Sequence, residues 1–429
     1  MPRNRQFQPE KEPLRNHRYL QLDTNKVYGP FSFLDPTYAH FQHVNNRVDT
    51  DEAFPDSAQR SNQPASQFEY RWSSRNNRKG RHTIAVTSAP HRDSAYNVPP
   101  KSTDSRQILR GLWRMVTYYP VWDVSYLVAV IFTLGSVVWV FNAFFVFLPL
   151  VRPDTEFPNE LLYGGGITAF IGATIFEIGS VLLMLEAINE NNAGCFGWAL
   201  ERAWKEHKNG GYSAVRDSEK EGAITVRPAV DSCTHHHQNR SNLVGTSNTL
   251  SHSKSDPSPD SIPSTNNKDT SSAWTWWPSA HDVKTRYIHD IGFLACLFQL
   301  FGATIFWIAG FTALPGIYNN MSQGLIDGIY WTPQVIGGSG FVVSGTLFML
   351  ETQKKWYIPA PKVLGWHIGL WNWIGGLGFT LSPCFGYDTA SWAQYQAACS
   401  TYWGSWAFLI GSAIQWYESL DKHPVESQD

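Results

Sequence analysis

Six apolar stretches constrain this chain more than any other feature. They lie at about 124–148, 163–187, 289–315, 331–351, 363–383 and 400–418, and none contains Lys or Arg. A bilayer core takes roughly 20 residues of helix. A soluble helix of that length shows a polar face at 3.6-residue spacing, and these stretches show none. The residues before about 120 and the segment 205–285 are almost wholly polar. The mean hydropathy of −0.28 therefore averages two unlike halves. The expected fold is an all-α membrane protein with six transmembrane helices as three helical hairpins, a disordered cytosolic N-terminus and a long central loop. Its divisions fall at 1–115 (disordered, cytosolic), 116–194 (first hairpin), 195–285 (cytosolic, mostly disordered, with a short interfacial helix), 286–420 (second and third hairpins) and 421–429 (cytosolic tail).

Charge placement orients the spans. Lys101, Arg106, Arg110 and Arg114 precede the first, and Arg202, Lys205, Lys208, Lys268, Lys284 and Arg286 lie between the second and third. Lys354, Lys355 and Lys362 separate the fourth and fifth, and Lys422 follows the sixth. The opposite loops hold only Arg152, and 316–330 and 384–399 have no basic residue. Cytosolic loops keep positive charge, so both termini are expected in the cytosol. Trp113, Trp122, Trp331, Trp356 and Trp403 fall where interfacial rings anchor. With 34 Lys+Arg against 36 Asp+Glu, the chain has no overall drive toward nucleic acid. The expected partners are the lipid bilayer and, through the cytosolic arms, other membrane proteins. MPRNRQFQPEKEP opens without an apolar run, so no cleavable signal peptide is expected.

The even-numbered spans repeat a pattern: Gly, Phe four later, two small residues, then a terminal Glu. It runs Gly172, Phe176, Gly179-Ser180, Glu186; Gly337, Phe341, Ser344-Gly345, Glu351; and Gly404, Phe408, Gly411-Ser412, Glu418. Small residues on one stripe let helices approach closely in lipid, so helix packing is the expected role. The glutamates are expected to leave the hydrocarbon at the interface.

Polar residues within a span need a reason. Glu177 is the acid nearest mid-span, about 15 Å deep at 1.5 Å per residue. Thr133, Gln299 and Asn372 come out at roughly 13 Å by the same count, with His367 about one turn nearer the cytosol. Together they form a candidate intramembrane polar site. Glu177 either titrates or binds a cation there, or is protonated and simply joins helices. Cys384 and Cys399 flank the last outer loop and are either a disulfide or two free thiols.

In the polar parts, Tyr28–Leu34 is a short aromatic motif within otherwise disordered sequence. Arg71, Arg75, Arg78, Lys79 and Arg81 form a basic cluster, either touching anionic lipid or simply solvated. Residues 195–207 (CFGWALERAWKEH) are expected to form the interfacial helix. Cys195 is either a palmitoylation site or a free thiol. Between Ser241 and Ser272, 10 of 32 residues are Ser, too polar to build a core. Cys233 with His235, His236 and His237 would at most bind metal adventitiously. No Gly-rich phosphate loop, H-E-x-x-H, G-x-S-x-G or spaced Cys pair occurs. No catalytic residue, cofactor or metal is expected.

YWGSWAFLIGSAIQWYE (402–418), with FLIGS at 408–412, resembles the YrhK-like domain, a small paired-helix membrane module. Together with GWHIGLWNWIGGLGFTLSPCFG (365–386) it is similar to uncharacterised fungal multi-pass integral membrane proteins. The resemblance implies a membrane location and helical hairpins, and carries no activity or catalytic residue. The expected function is a non-enzymatic membrane-organising or regulatory protein. The alternative is a small-solute or ion transporter or channel using Glu177.

Overall fold

A computed structural model describes residues 20–43, 68–86, 96–97, 100–197, 199–200, 245–246 and 274–427. Six long helices dominate it: α1 Val124–Val151, α2 Gly166–Ile188, α3 Ile291–Thr312, α4 Thr332–Glu351, α5 Leu364–Gly386 and α6 Ser391–Ser419. With their leading turns, the helical runs of α1 to α4 are long and apolar enough to cross a membrane. The other two carry more Trp, Tyr, Gln and Ser but no Lys or Arg.

Local chemistry sets several helix ends. Asp123 caps α1, accepting from the amides of Ser125 at 2.9 Å and Tyr126 at 3.4 Å. Asp290 caps α3 in the same way, at 2.7 Å from Gly292 and 3.1 Å from Phe293. A carboxylate at this position satisfies amides that have no partner within the helix. A π-helical turn leads into α2 at Leu161–Gly165 and into α4 at Ile326–Trp331. The second lies 165 residues after the first, the same spacing as Gly172 to Gly337.

Each long helix packs on the next in sequence, and α6 returns to α1, so the six close into a ring. The α3–α4, α4–α5 and α5–α6 crossings bring backbones together. A Cβ on Gly302 would lie 2.8 Å from the carbonyl oxygen of Gly337, and one on Gly378 would lie 2.7 Å from the Cα of Gly404. Only hydrogen fits there. Gly172, Gly179, Gly345 and Gly411 likewise face Trp139, Phe132, Trp373 and Trp371 of adjacent helices.

The ring encloses no open bore. Phe176, Phe341 and Phe408 meet on its axis as a triangle, with centroids 6.4, 5.9 and 5.5 Å apart. Trp139, Phe306 and Phe379 form a second triangle at 5.7, 5.6 and 4.9 Å. The two layers touch through Trp139–Phe176, Phe306–Phe341 and Phe379–Phe408. Tilted and edge-to-face pairs of this kind add to the gain from burial.

The expectation of an all-α chain with a disordered 1–115 needs correcting for the described residues. Strands β1 Leu20–Tyr28, β2 Tyr38–His43, β3 Phe68–Ser73 and β4 Thr83–Val86 form an antiparallel series. Strand β5, Val425–Ser427, then joins β4 in parallel register, with Ile84 opposite Val425. Alternation drives this: Ala39 and Phe41 of β2 face Tyr70 and Trp72 of β3 in one buried cluster. The polar composition hid these short strands, and the sheet needs the last residues of the chain to complete its edge. The segments before and after the ring therefore share one sheet, at one end of the bundle. In the Tyr28–Leu34 motif, Phe31 and Phe33 stack at 5.3 Å and Leu34 is buried. Ser105–Thr117 is a helix, with Leu109, Leu112, Trp113 and Val116 exposed along one side.

Candidate functional site

The connection between β3 and β4 enters the mouth of the ring. Its sequence, Ser-Ser-Arg-Asn-Asn-Arg-Lys-Gly-Arg (73–81), builds a single tight element. The Ser73 hydroxyl accepts from the Asn76 amide at 3.2 Å and starts the short helix Ser74–Arg78. Gly80, at φ +61°, ends it in the left-handed region that glycine enters without strain. Side chains three and four apart on this turn point the same way, which gathers the basic groups on the bundle.

Those groups meet the three repeat glutamates. Arg78 donates through Nη1 to Glu186 at 2.7 Å and through Nη2 to Glu351 at 2.9 Å. Glu418 accepts from Arg75 Nη2 at 2.8 Å, Lys79 Nζ at 3.0 Å and Arg81 Nη1 at 3.1 Å. All three glutamates are 2% exposed or less, and Lys79 is 1% exposed. The glutamates therefore do not leave the protein for the interface, and Arg75, Arg78, Lys79 and Arg81 are neither on lipid nor solvated. Only Arg71, paired with Glu426 at 2.9 Å, keeps a partly open position.

Burial opposes the Arg78 charge, but Glu351 and Glu186 outweigh it and hold the guanidinium well above its ordinary value. Burial draws Lys79 down to about 8, against the pull of Glu418. Removing one member of such a pair leaves an uncompensated buried charge, worth about 3–5 kcal/mol. Small residues make the space: a Cβ on Gly365 would strike Arg75, and one on Gly292 would strike Glu351. Lys422 reinforces the seat, reaching Asp123 at 2.6 Å and the Lys79 carbonyl at 2.9 Å. His82 lies between Tyr70 at 2.8 Å and Asn191 at 3.0 Å. Burial lowers its pKa to about 3, so the ring is neutral.

The expected polar layer assembles only in part. Gln299 and Asn372 line one small cavity between the cap and the Phe176–Phe341–Phe408 triangle. They stand seven residues before Phe306 and Phe379, two turns along the same face. The residue equivalent to them on α1 is Phe132, also in the cavity lining, and not Thr133, whose hydroxyl returns to the Ala129 carbonyl at 2.7 Å. Glu177 is turned about 100° from inward-facing Phe176. It accepts from Thr304 at 2.9 Å on the α2–α3 side of the ring. His367 bonds the Pro361 carbonyl at 2.7 Å, away from the layer.

Cys384 and Cys399 are free thiols. The α5 residue turned toward α6 is Ser382, which accepts from Thr401 at 2.8 Å, while Cys384 is exposed on another face. Cys195 is buried. Residues 196–197 and 199–200 are helical, and the rest of the expected interfacial helix lies outside the described residues, as do Cys233, His235, His236, His237 and the Ser-rich segment. Among the described residues no cluster of His, Cys, Asp and Glu has the makings of a metal site.

Sequence reading missed the partnership of the basic cluster with the glutamates. The available signal was numerical: three equivalent buried-helix carboxylates with no cation in any span, and a compact run of four cations elsewhere. No family model matches the chain, and neither the curated proteins nor the solved structures give a match.

Proposed function

We propose that this chain is a six-span integral membrane protein that acts without catalysis, as a membrane-organising or regulatory body. The outer faces of the ring support the bilayer part. Leu134, Phe141, Ile178, Phe301, Val343 and Ile410 all point outward and exposed, a continuous apolar surface that water would not tolerate. Helices α5 and α6 close the ring between α4 and α1, so they share the depth of their apolar neighbours. The described basic residues Lys284, Arg286, Lys354, Lys355 and Lys362 lie in the connections at the end of the ring that carries the sheet, the side the positive-inside rule assigns to the cytosol. The helix Ser105–Thr117 lies on the same side. Its apolar side is exposed beside Arg106, Arg110 and Arg114, the pattern of a helix lying in an anionic lipid interface.

The observation that carries the functional reading is the filled axis. Two aromatic triangles occupy the ring, and a salt-bridged cap occupies its mouth. A body built this way offers a fixed shape to lipid and to neighbouring helices. Glu177 stands outside the axis, so a solute path centred on it has no geometric support.

Two experiments test the proposal. Leu325→Cys and Leu250→Cys, each in a cysteine-free background, are treated with a membrane-impermeant thiol reagent on intact cells. Labelling is expected at 325 and not at 250; labelling at 250 refutes the topology. In proteoliposomes the wild type is expected to leak ions no faster than empty vesicles. Ion flux that Glu177→Gln abolishes would replace this reading with transport.

A further inference from the structure

The cavity beneath the cap has a chemistry that neither the sealed ring nor the membrane reading explains. We infer that it is a binding site for a small monovalent anion, of which chloride and bromide are the probes.

Three amides define it. Gln299 of α3, Asn372 of α5 and Gln415 of α6 line the cavity. Gln299 is 8% exposed and Gln415 7%, and Asn372 is half-buried. None of the three has a hydrogen-bond partner among the described residues. Buried amides are almost always paired, because an unpaired one loses its hydration and gains nothing in return. The cavity measures about 30 Å³, the scale of about two water molecules, and so suits a monatomic ion. Something small and polar completes these amides.

The cap decides the sign of that occupant. Arg75, Arg78 and Lys79 form the cytosolic wall of the same cavity. At the mouth, four cations (Arg75, Arg78, Lys79 and Arg81) share three carboxylates within ion-pair distance. The Lys79 ammonium has three protons, and one of them goes to Glu418. A cation in the cavity would face this positive wall. An anion takes donors from the amide groups of Gln299, Asn372 and Gln415 and offsets the surplus charge, and hydrogen bonds to an ion are the stronger kind.

The test uses the full-length chain in detergent, with chloride or bromide replacing gluconate at constant ionic strength. The thermal midpoint is expected to rise with halide and to saturate. Gln299→Leu and Asn372→Leu should each raise the half-saturating concentration about tenfold, the worth of one hydrogen bond to a charged group. A midpoint identical in halide and gluconate means the cavity holds water alone, and the inference fails. Should the leucine variants not fold, wild-type crystals grown in bromide decide the matter. An anomalous peak among the three amides supports the site, and its absence at saturating bromide overturns it. Neither measurement depends on the orientation of the protein in the membrane.

Discussion

Arg78 and Glu351 are 273 positions apart in the chain and 2.9 Å apart in the fold. The same guanidinium also holds Glu186, so one side chain from the β3–β4 connection ties the end of α2 to the end of α4. Both ends are buried, and the contact fastens the sheet and its connecting turn to the helical ring.

Removing that side chain leaves two carboxylates buried without a cation. Arg78→Ala is expected to destabilise the protein by about 3–5 kcal/mol, read as a lowered thermal midpoint in detergent. Adding Glu186→Gln and Glu351→Gln to it should restore part of the loss, because the buried charge is gone. If the triple variant is no more stable than Arg78→Ala, the pairing is not what holds the cap.

The aromatic triangle predicts a packing cost. Phe408 touches Phe176, Phe341 and Phe379 on the axis. Phe408→Ala should lose about 3–5 kcal/mol through the cavity it leaves, while Phe408→Leu should lose less. Equal midpoints for Phe408→Ala and the wild type would mean that the axis is loosely filled.

Acid should loosen the cap through His82. Its folded pKa is about 3, against an ordinary 6.5. A base held neutral contributes full stability above its unfolded pKa and loses it as pH falls from about 6.5 toward 3. His423, 6.1 Å away ring to ring, with Lys422 and Arg81, opposes the proton as well. Between pH 7.5 and pH 5.5 the wild-type midpoint is expected to fall more steeply than that of His82→Gln. Parallel curves would assign the acid sensitivity to other groups.

Glu177 should tolerate neutralisation. Its described contact is the Thr304 hydroxyl, which Gln would keep. Glu177→Gln is expected to shift stability by less than about 1 kcal/mol. A larger loss, measured by thermal denaturation, would show that the carboxylate charge matters to the assembly.

What could be read from sequence and what could not divide along physical lines. The apolar helices were legible because each is a long apolar run without Lys or Arg, and such a run needs no partner to be recognised. The threefold pattern was legible too, because Phe176, Phe341 and Phe408 recur at fixed spacing from a terminal Glu. Rotation about the helix axis was harder. Thr133 and Phe132 differ by one position, yet one turns to its own backbone and the other to the cavity. Glu177 sits beside Phe176 in sequence and on a different face in space. The strands were obscured because they lie in polar sequence and alternate polar with apolar side chains, and the edge strand Val425–Ser427 pairs with Thr83–Val86, more than 300 positions away.

The amino-acid order alone thus determined which segments are greasy enough for a bilayer, where the small residues line up, and which loops carry positive charge. These are local sums over neighbouring residues. Tertiary structure alone decided that the ring closes α6 on α1, that its axis is filled, and that Arg75, Arg78, Lys79 and Arg81 find Glu186, Glu351 and Glu418. An ion pair is a property of two positions in space, and chain separation says nothing about it until the helices between them have packed.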